Sequence, residues 1–175
     1  MFPELKTDRL ILRKILSEDR LIIFKGLSNE KVIKYYDISF KNLEDVQIQM
    51  DWFEEIQNNE TGIWWGIAFK NSKELIGACG FNDCQKEHKK IEIGAWLLPE
   101  YWGKGIICEA INNIIEYAFD TMGIHRIEGI VETNNIKCKK LLDKLNFVYE
   151  GTLKDAEIKN GQYISLSCYS KINLI

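Results

Sequence analysis

Two glycines, Gly103 and Gly105, stand on either side of Lys104 between two apolar stretches of the chain. The stretch before them, residues 91–98, is short and apolar and is followed by a proline, which is typical of a buried strand. The stretch after them, residues 106–119, repeats apolar residues at spacings of three and four, which predicts an amphipathic helix. The glycines therefore lie in a turn between a strand and a helix.

A turn of this kind carries the groups that bind phosphate. The first turn of a helix has unpaired backbone N–H groups, and the helix dipole favours an anion beside them. Because glycine lacks a Cβ, a phosphate can approach the backbone closely, and Lys104 adds a positive charge. We therefore predict a phosphate-binding segment, called the glycine loop below, made of Trp102, Gly103, Lys104, Gly105 and Ile106.

Spacing alone does not separate a phosphate site from an ordinary strand-to-helix turn. The loop lacks the Gly-x-x-x-x-Gly-Lys-Ser/Thr pattern of the P-loop, and no third glycine completes a dinucleotide-binding fingerprint. Both interpretations of the two glycines are open at this point.

An ordered series of motifs resembles the GNAT acetyltransferase superfamily, and within it the branch of the RimJ/RimL ribosomal-protein N-terminal acetyltransferases. Residues 99–106, followed by Glu109 and Ala110, are similar to the acetyl-CoA motif of the superfamily, and residues 7–13 resemble the opening strand of the branch. Five segments resemble the closing half of the branch, in the right order: 123–128, 135–138, 144–147, 150–153 and 161–163. The resemblance covers residues 7–172, nearly the whole chain.

The mixture of strands and helices along the chain indicates an α+β or mixed α/β fold. The resemblance implies a twisted, mostly antiparallel seven-stranded sheet with helices on both faces. It also implies that two central strands are parallel and splay apart, and that the cofactor lies in that gap. With a length of 175 residues, the chain is expected to form a single N-acetyltransferase domain, residues 1–175.

The resemblance implies a transferase that moves an acetyl group from acetyl-CoA to a primary amine by direct attack, leaving CoA as product. The pyrophosphate of acetyl-CoA would lie on the glycine loop, and the backbone of Leu97 and Leu98 would hold the pantetheine arm. The N–H of Leu98 would bind the oxyanion that develops on the thioester. Asn135 and Cys138 would complete the cofactor contacts, although asparagine also suits a helix N-cap.

Two side chains are candidates for moving protons. Glu92 lies on the central strand, where the family sometimes uses an acidic residue as general base; the competing interpretation is a solvated or ion-paired strand residue. Cys138 stands where the nearer branch usually has serine, so it is a candidate acid for the leaving sulfur, against a simple packing role. His88 and His125 compete with Glu92 as bases.

Two residues depart from the pattern of the family. Glu100 occupies a position that often holds glutamine or arginine, and a carboxylate cannot help to bind phosphate, so its side chain should point away from the loop. Asn146 stands where the family nearly always has glycine, at a position that should need a left-handed backbone. Asparagine is the next-best residue for that conformation.

The pKa of the amine that accepts the acetyl group favours one class of acceptor over another. An α-amino group has a pKa of about 7.7–8.0 and a lysine side chain about 10.4, so deprotonation at pH 7 costs roughly 1–1.4 and 4.6 kcal/mol respectively. An enzyme without a strong base therefore suits the α-amine of a peptide N-terminus. A small-molecule acetyltransferase for polyamines or antibiotics, and a non-catalytic acyl-CoA-binding module, are the alternatives.

Composition excludes several other classes of protein. A net charge of −3 with no basic stripe argues against nucleic acid as a partner. No apolar run approaches the ~20 residues that cross a bilayer, and residues 1–6 lack a signal-peptide pattern. Five cysteines without a Cys-x-x-Cys pair favour free thiols over disulfides or a metal site. We expect a cytoplasmic protein. Its oligomeric state is open, and a homodimer is the assembly that we expect.

Overall fold

The computed structural model describes residues 2–174. The strands are Leu5–Lys6 (β1), Leu10–Lys14 (β2), Ile63–Phe69 (β3), Leu75–Gln85 (β4), Lys90–Leu97 (β5), Arg126–Glu132 (β6), Val148–Lys159 (β7) and Gln162–Ile172 (β8). The α-helices are Arg20–Leu27 (α1), Glu30–Ile33 (α2), Val46–Asn58 (α3), Ile106–Asp120 (α4) and Ile136–Lys144 (α5). The strands form one sheet in the order β1-β2-β3-β4-β5-β6-β8-β7.

The expected fold class is confirmed, with one more strand than the seven predicted. Neighbouring strands are antiparallel except β5 and β6, which are parallel. The additional strand is β1, which pairs Leu5 with Leu12 and Lys6 with Ile11. A two-residue strand is too short to show any periodicity in a sequence, so only its pairing identifies it.

The two parallel strands separate after a short contact. They pair only from Lys90 opposite Arg126 to Glu92 opposite Glu128. Beyond Glu92, β5 continues along β4 and β6 continues along β8. A gap therefore opens between β5 and β6, with Glu92 at its inner end.

The sheet lies between two apolar clusters, so helices cover both of its faces. One cluster joins Ile91 of β5 to the buried side of α4, including Ile114. The other joins Trp96 of β5 to α1 and α3, including Phe53. Because side chains alternate along a strand, Glu92 and Trp96 face the α3 side while the odd-numbered residues of β5 face α4.

Two element boundaries differ from the sequence prediction. We predicted the α3 helix from residue 42 or 43, but it begins at Val46, because the Asn42 side chain accepts the Asp45 N–H at 3.0 Å and holds a turn there. We predicted that β7 ends near residue 153, but it continues to Lys159. Its pairing with β8 shifts register beyond Leu153, which hides the strand from a period-two pattern.

The backbone at Asn146 is left-handed, as predicted. Its φ is 59°, and the next residue, Phe147, returns its N–H to the carbonyl of Leu142 at 3.0 Å. The asparagine thus ends α5 in the way that glycine usually does.

Candidate active site

The glycine loop connects the end of β5 to the start of α4. Gly103 and Gly105 both have φ of +74°, a conformation that residues with a side chain rarely adopt. A Cβ placed on Gly103 would meet no atom within 4 Å, so the backbone there borders open space. Among residues 2–174, none accepts a hydrogen bond from the N–H groups of residues 103–105. This is the geometry that an anion site needs.

The available amides begin one residue later than the sequence suggested. The backbone N–H of Trp102 donates to the carbonyl of Pro99 at 3.1 Å and is therefore occupied. Its indole N–H donates instead to the carbonyl of Leu97 at 2.7 Å, which ties the loop to the end of β5. The ammonium of Lys137, on α5, lies 5.0 Å from the centre of the Trp102 ring and so reaches across the gap.

An ion pair between Arg9, just before β2, and Glu109 of α4 holds the loop. Arg9 donates to the carbonyl of Lys104 at 3.1 Å and to the Glu109 carboxylate at 2.7 Å. Glu109 also accepts the hydroxyl of Thr7 and the N–H of Arg9. Burial raises the pKa of Glu109, but these hydrogen bonds outweigh it and leave the pKa below its ordinary value. The resemblance assigns residues 7–13 only to an opening strand, so sequence analysis misses this role of Arg9.

Glu100 points away from the loop, as expected. Its carboxylate pairs with the ammonium of Lys25 at 2.9 Å. That pairing lowers the pKa of Glu100 and keeps its charge on the outer side of the turn.

The structure contradicts the expectation that Leu98 presents its N–H to the oxyanion. That N–H donates to the carbonyl of Ile76 on β4 at 2.9 Å. Peptide groups alternate in direction along an antiparallel strand, so the N–H of Leu97 faces away from β4, towards the gap. The side chains of Leu97 and Leu98 are both buried, as their apolar character predicts.

Asn135 caps α5, as one of its two interpretations predicted. Its side-chain oxygen accepts the N–H of Cys138 at 3.2 Å, and both residues line the gap. Burial raises the pKa of the Cys138 thiol to about 11, so the thiol stays protonated at neutral pH. Contact of either residue with a cofactor stays a prediction.

Glu92 is half-buried and lines the same gap. Burial raises its pKa, the carboxylates of Asp83, Glu128 and Glu157 add to that effect and Lys90 opposes it, so that the pKa lies at about 7. It forms no ion pair within residues 2–174, since the Lys90 ammonium pairs with Glu128 at 3.1 Å. The ion-paired form of the competing interpretation is therefore excluded, while a solvated strand residue and a general base both stay predictions. The two histidines proposed as rivals, His88 and His125, are both exposed and do not line the gap.

The gap widens into a cleft of about 1380 Å³, called the central cleft below. Its α3 side is aromatic, because Trp64 contacts Trp52 and Phe53 of α3 at ring distances of 6.0 and 5.9 Å. The Trp64 indole crosses β5 at Gly94, where a Cβ would lie only 2.7 Å from the ring. A volume above the usual 300–1,000 Å³ of a one-ligand pocket suits two substrates side by side.

The segment that follows α2 lines the central cleft and contacts the ends of β6 and β7. The hydroxyl of Tyr35 donates to the carbonyl of Asn134 at 3.1 Å. The ammonium of Lys159 pairs with Glu132 at 2.6 Å and lies 3.5 Å from Asp37.

The family model that describes the acetyltransferase (GNAT) domain matches residues 9–148 of the sequence. The chain belongs to the GNAT acetyltransferase family. It is an acetyl-CoA-dependent N-acetyltransferase, as the ordered motifs implied.

Three relatives illustrate this membership. The uncharacterized N-acetyltransferase YoaA of Bacillus subtilis is 37% identical over 171 residues, with 97% of each chain covered. The ribosomal-protein-serine acetyltransferase of Escherichia coli is 31% identical over 132 residues, with 73% of each chain covered. The crystal structure of the microcin C7 self-immunity acetyltransferase MccE, in complex with acetyl-CoA and AMP, matches with a TM-score of 0.85 at 25% identity, covering 95% of this chain and 94% of that one.

The residues of the glycine loop fit acetyl-CoA. The open backbone at Gly103, the unpaired amides of residues 103–105 and the nearby Lys104 suit a pyrophosphate. None of the helices within residues 2–174 is both long and apolar enough to cross a membrane.

Proposed function

We propose that this N-acetyltransferase acts on the α-amine at the N-terminus of a peptide or protein, with Glu92 as general base. The observation that carries the proposal is a carboxyl group with a pKa of about 7 at the inner end of the gap. A base near neutrality is half ionised at the pH of the cell and is well matched to proton transfer.

The pKa of Glu92 favours an acceptor of low basicity. Moving a proton from an α-ammonium group of pKa 7.7–8.0 to a carboxylate of pKa about 7 costs roughly 1–1.4 kcal/mol. The same transfer from an alkylammonium group of pKa 10.4 costs about 4.6 kcal/mol. The difference of roughly 3 kcal/mol corresponds to a rate preference of about 10²-fold for the α-amine. The relationship to a ribosomal-protein-serine acetyltransferase supports the same class of acceptor.

Acetyl-CoA supplies the activated acetyl group when it is bound. The amine loses its proton to Glu92 and attacks the thioester carbon. The N–H of Leu97, which faces the gap, would donate to the oxygen that becomes negative. This role replaces the one first assigned to Leu98.

Cys138 is a poorer acid for the leaving sulfur than its position in the sequence predicts. A thiol of pKa about 11 is a weaker acid than an ordinary thiol of pKa about 8.5, so protonating a thiolate from it is uphill by roughly 3 kcal/mol. We propose that Cys138 shapes the wall of the central cleft and that solvent in the open cleft protonates the leaving sulfur.

The test is release of CoA thiol with two acceptors, a peptide with N-terminal alanine or serine and the polyamine spermidine. We expect faster release with the peptide. The variant Glu92→Gln should lower kcat/KM about 10²-fold or more and remove the rise in rate between pH 6 and 8. Glu100→Gln, a change of the same chemistry at an exposed position, should have no effect.

Three results would count against the proposal. Faster release of CoA thiol with spermidine than with the peptide would indicate a small-molecule acetyltransferase. Acetyl-CoA binding without thiol release on any amine would leave a non-catalytic module. An unchanged pH profile in Glu92→Gln would remove Glu92 as the base.

Location and assembly are separate proposals. We propose a cytoplasmic protein, supported by five cysteines that are all unpaired within residues 2–174. A homodimer stays a prediction, which light scattering of the purified chain would check.

A further inference from the structure

One polar side chain lies in the apolar stripe of α3. The buried residues of this helix are Val46, Gln49, Met50, Phe53 and Ile56, which follow the spacing of a helix face packed on a core. Gln49 is 6% exposed, so it is as buried as its apolar neighbours. A glutamine is unusual at such a position, because burying an amide is unfavourable unless the amide finds a partner.

The carboxamide of Gln49 has no hydrogen-bond partner within residues 2–174. By contrast, the exposed Gln47 on the same helix donates a hydrogen bond to Asp51 at 2.8 Å. Gln49 lines the central cleft beside Trp52 and Phe53. A side chain that is nine-tenths buried, unpartnered and on the wall of a cavity is prepared to bind a ligand there.

The surroundings connect this carboxamide to the proposed base. Trp64 lies against Trp52 and Phe53 on one side, and its indole N–H donates to Asn82 at 2.7 Å on the other. Asn82 is the strand partner of Glu92. The Trp64 indole therefore spans the wall between Gln49 and Glu92, so a molecule whose amine reaches Glu92 can extend along this ring towards α3.

The chemistry of the wall indicates what the ligand carries. A carboxamide donates through its NH2 group and accepts through its oxygen, so its full complement is a planar group with an N–H beside a C=O. Flat aromatic walls suit such a planar group. A second ammonium group, as in a polyamine, has only donors and would leave the NH2 group of Gln49 unpaired.

We propose that Gln49 binds a backbone amide of the acceptor, within the first residues after the amine that is acetylated. This inference rests on the proposed function and deepens it, since it assigns a specificity-determining residue and a chemical class to the acceptor side of the central cleft. In this assignment Gln49 contacts the acceptor beyond the reacting amine, so it acts on selectivity rather than on the chemical step.

The experiment compares short peptides in which one backbone amide at a time is replaced by an ester. The replacement removes a single N–H and keeps the shape of the chain. With the wild-type enzyme, one position should lower kcat/KM by about 10-fold or more, because the carboxamide oxygen of Gln49 loses its donor. In Gln49→Met, which keeps the length of the side chain, that penalty should disappear.

Controls make the outcome specific to Gln49. Gln47→Met makes the same chemical change at an exposed position of α3 and should keep the ester penalty. Gln49→Leu provides a second variant in case methionine fills the cleft. Both Gln49 variants should unfold close to the wild-type temperature, since the carboxamide faces the cleft and gives up no hydrogen bond within residues 2–174.

Two failures can be told apart. If the wild-type enzyme turns over peptides but no ester position is coupled to Gln49, the inference is overturned and the proposed function stands. If the wild-type enzyme releases no thiol with any peptide, the proposed function fails and the inference falls with it.

Discussion

Replacing Gly103 by alanine tests the glycine loop most directly, because the structure separates its effect on folding from its effect on binding. A Cβ at Gly103 meets no atom within 4 Å, so the folding penalty comes only from the backbone at φ +74°. A left-handed conformation costs an L-residue roughly 1–2 kcal/mol. For a chain of this length that corresponds to a fall of about 2–8 °C in Tm.

The binding penalty has a different origin. The same Cβ projects into the space where a phosphate would approach the amides of residues 103–105. Losing one hydrogen bond to a charged phosphate costs roughly 1.5–3 kcal/mol, which weakens acetyl-CoA binding by about 10- to 100-fold. Calorimetry gives the dissociation constant, and the fluorescence of the adjacent Trp102 provides an independent titration.

Gly161 supplies a matched control. It has φ +76° with no atom within 4 Å of a placed Cβ, but it lies in the turn between β7 and β8. Gly161→Ala should therefore show the same fall in Tm with unchanged affinity for acetyl-CoA. Equal affinities in Gly103→Ala and Gly161→Ala would refute the reasoning and leave the glycine loop as an ordinary turn.

Three further predictions concern side chains around the central cleft. The contribution of Glu92 to stability should fall by at most about 3 kcal/mol as pH rises from about 4.5 to 7, because its pKa is raised and the folded state holds a proton that the unfolded chain has released. Urea unfolding at several pH values should show this slope in the difference between the wild type and Glu92→Gln. Arg9→Gln should raise KM for acetyl-CoA about 10-fold and leave kcat within about 2-fold, since the Lys104 carbonyl loses its donor, and Arg9→Lys should restore part of the affinity. An equal change in Arg20→Gln, where the arginine contacts Gln47 and not the glycine loop, would contradict the assignment. Cys138→Ala should lower kcat less than about 3-fold, and a loss of 10²-fold would reinstate the thiol as a catalytic acid.

Local signals in the sequence account for most of the elements. The apolar spacing of residues 106–119 predicts α4, and the structure places that helix at Ile106–Asp120. The resemblance to the family implies a left-handed backbone at Asn146, and its φ is positive. These features depend on neighbours within one or two turns of chain, which is the range that sequence periodicity reports.

Features that depend on distant residues were missed or misassigned. Arg9 holds a carbonyl 95 residues away, and nothing near it in sequence indicates that contact. The N–H of Leu98 faces β4 rather than the gap, because the register of two strands sets its direction, and a shift of one residue would reverse it. Gln49 was overlooked because its neighbours complete an apolar stripe without it.

From the amino-acid sequence alone, the resemblance of an ordered series of motifs indicated the family and the role of the glycine loop, while apolar residues at short spacing placed most strands and helices along the chain. Only the tertiary structure decided which backbone amides are available, why the pKa of Glu92 lies near 7 and where an unpaired carboxamide meets the central cleft. Burial, hydrogen-bond direction and the approach of charges are properties of residues brought together from far apart in the chain, so they exist only once the chain has folded.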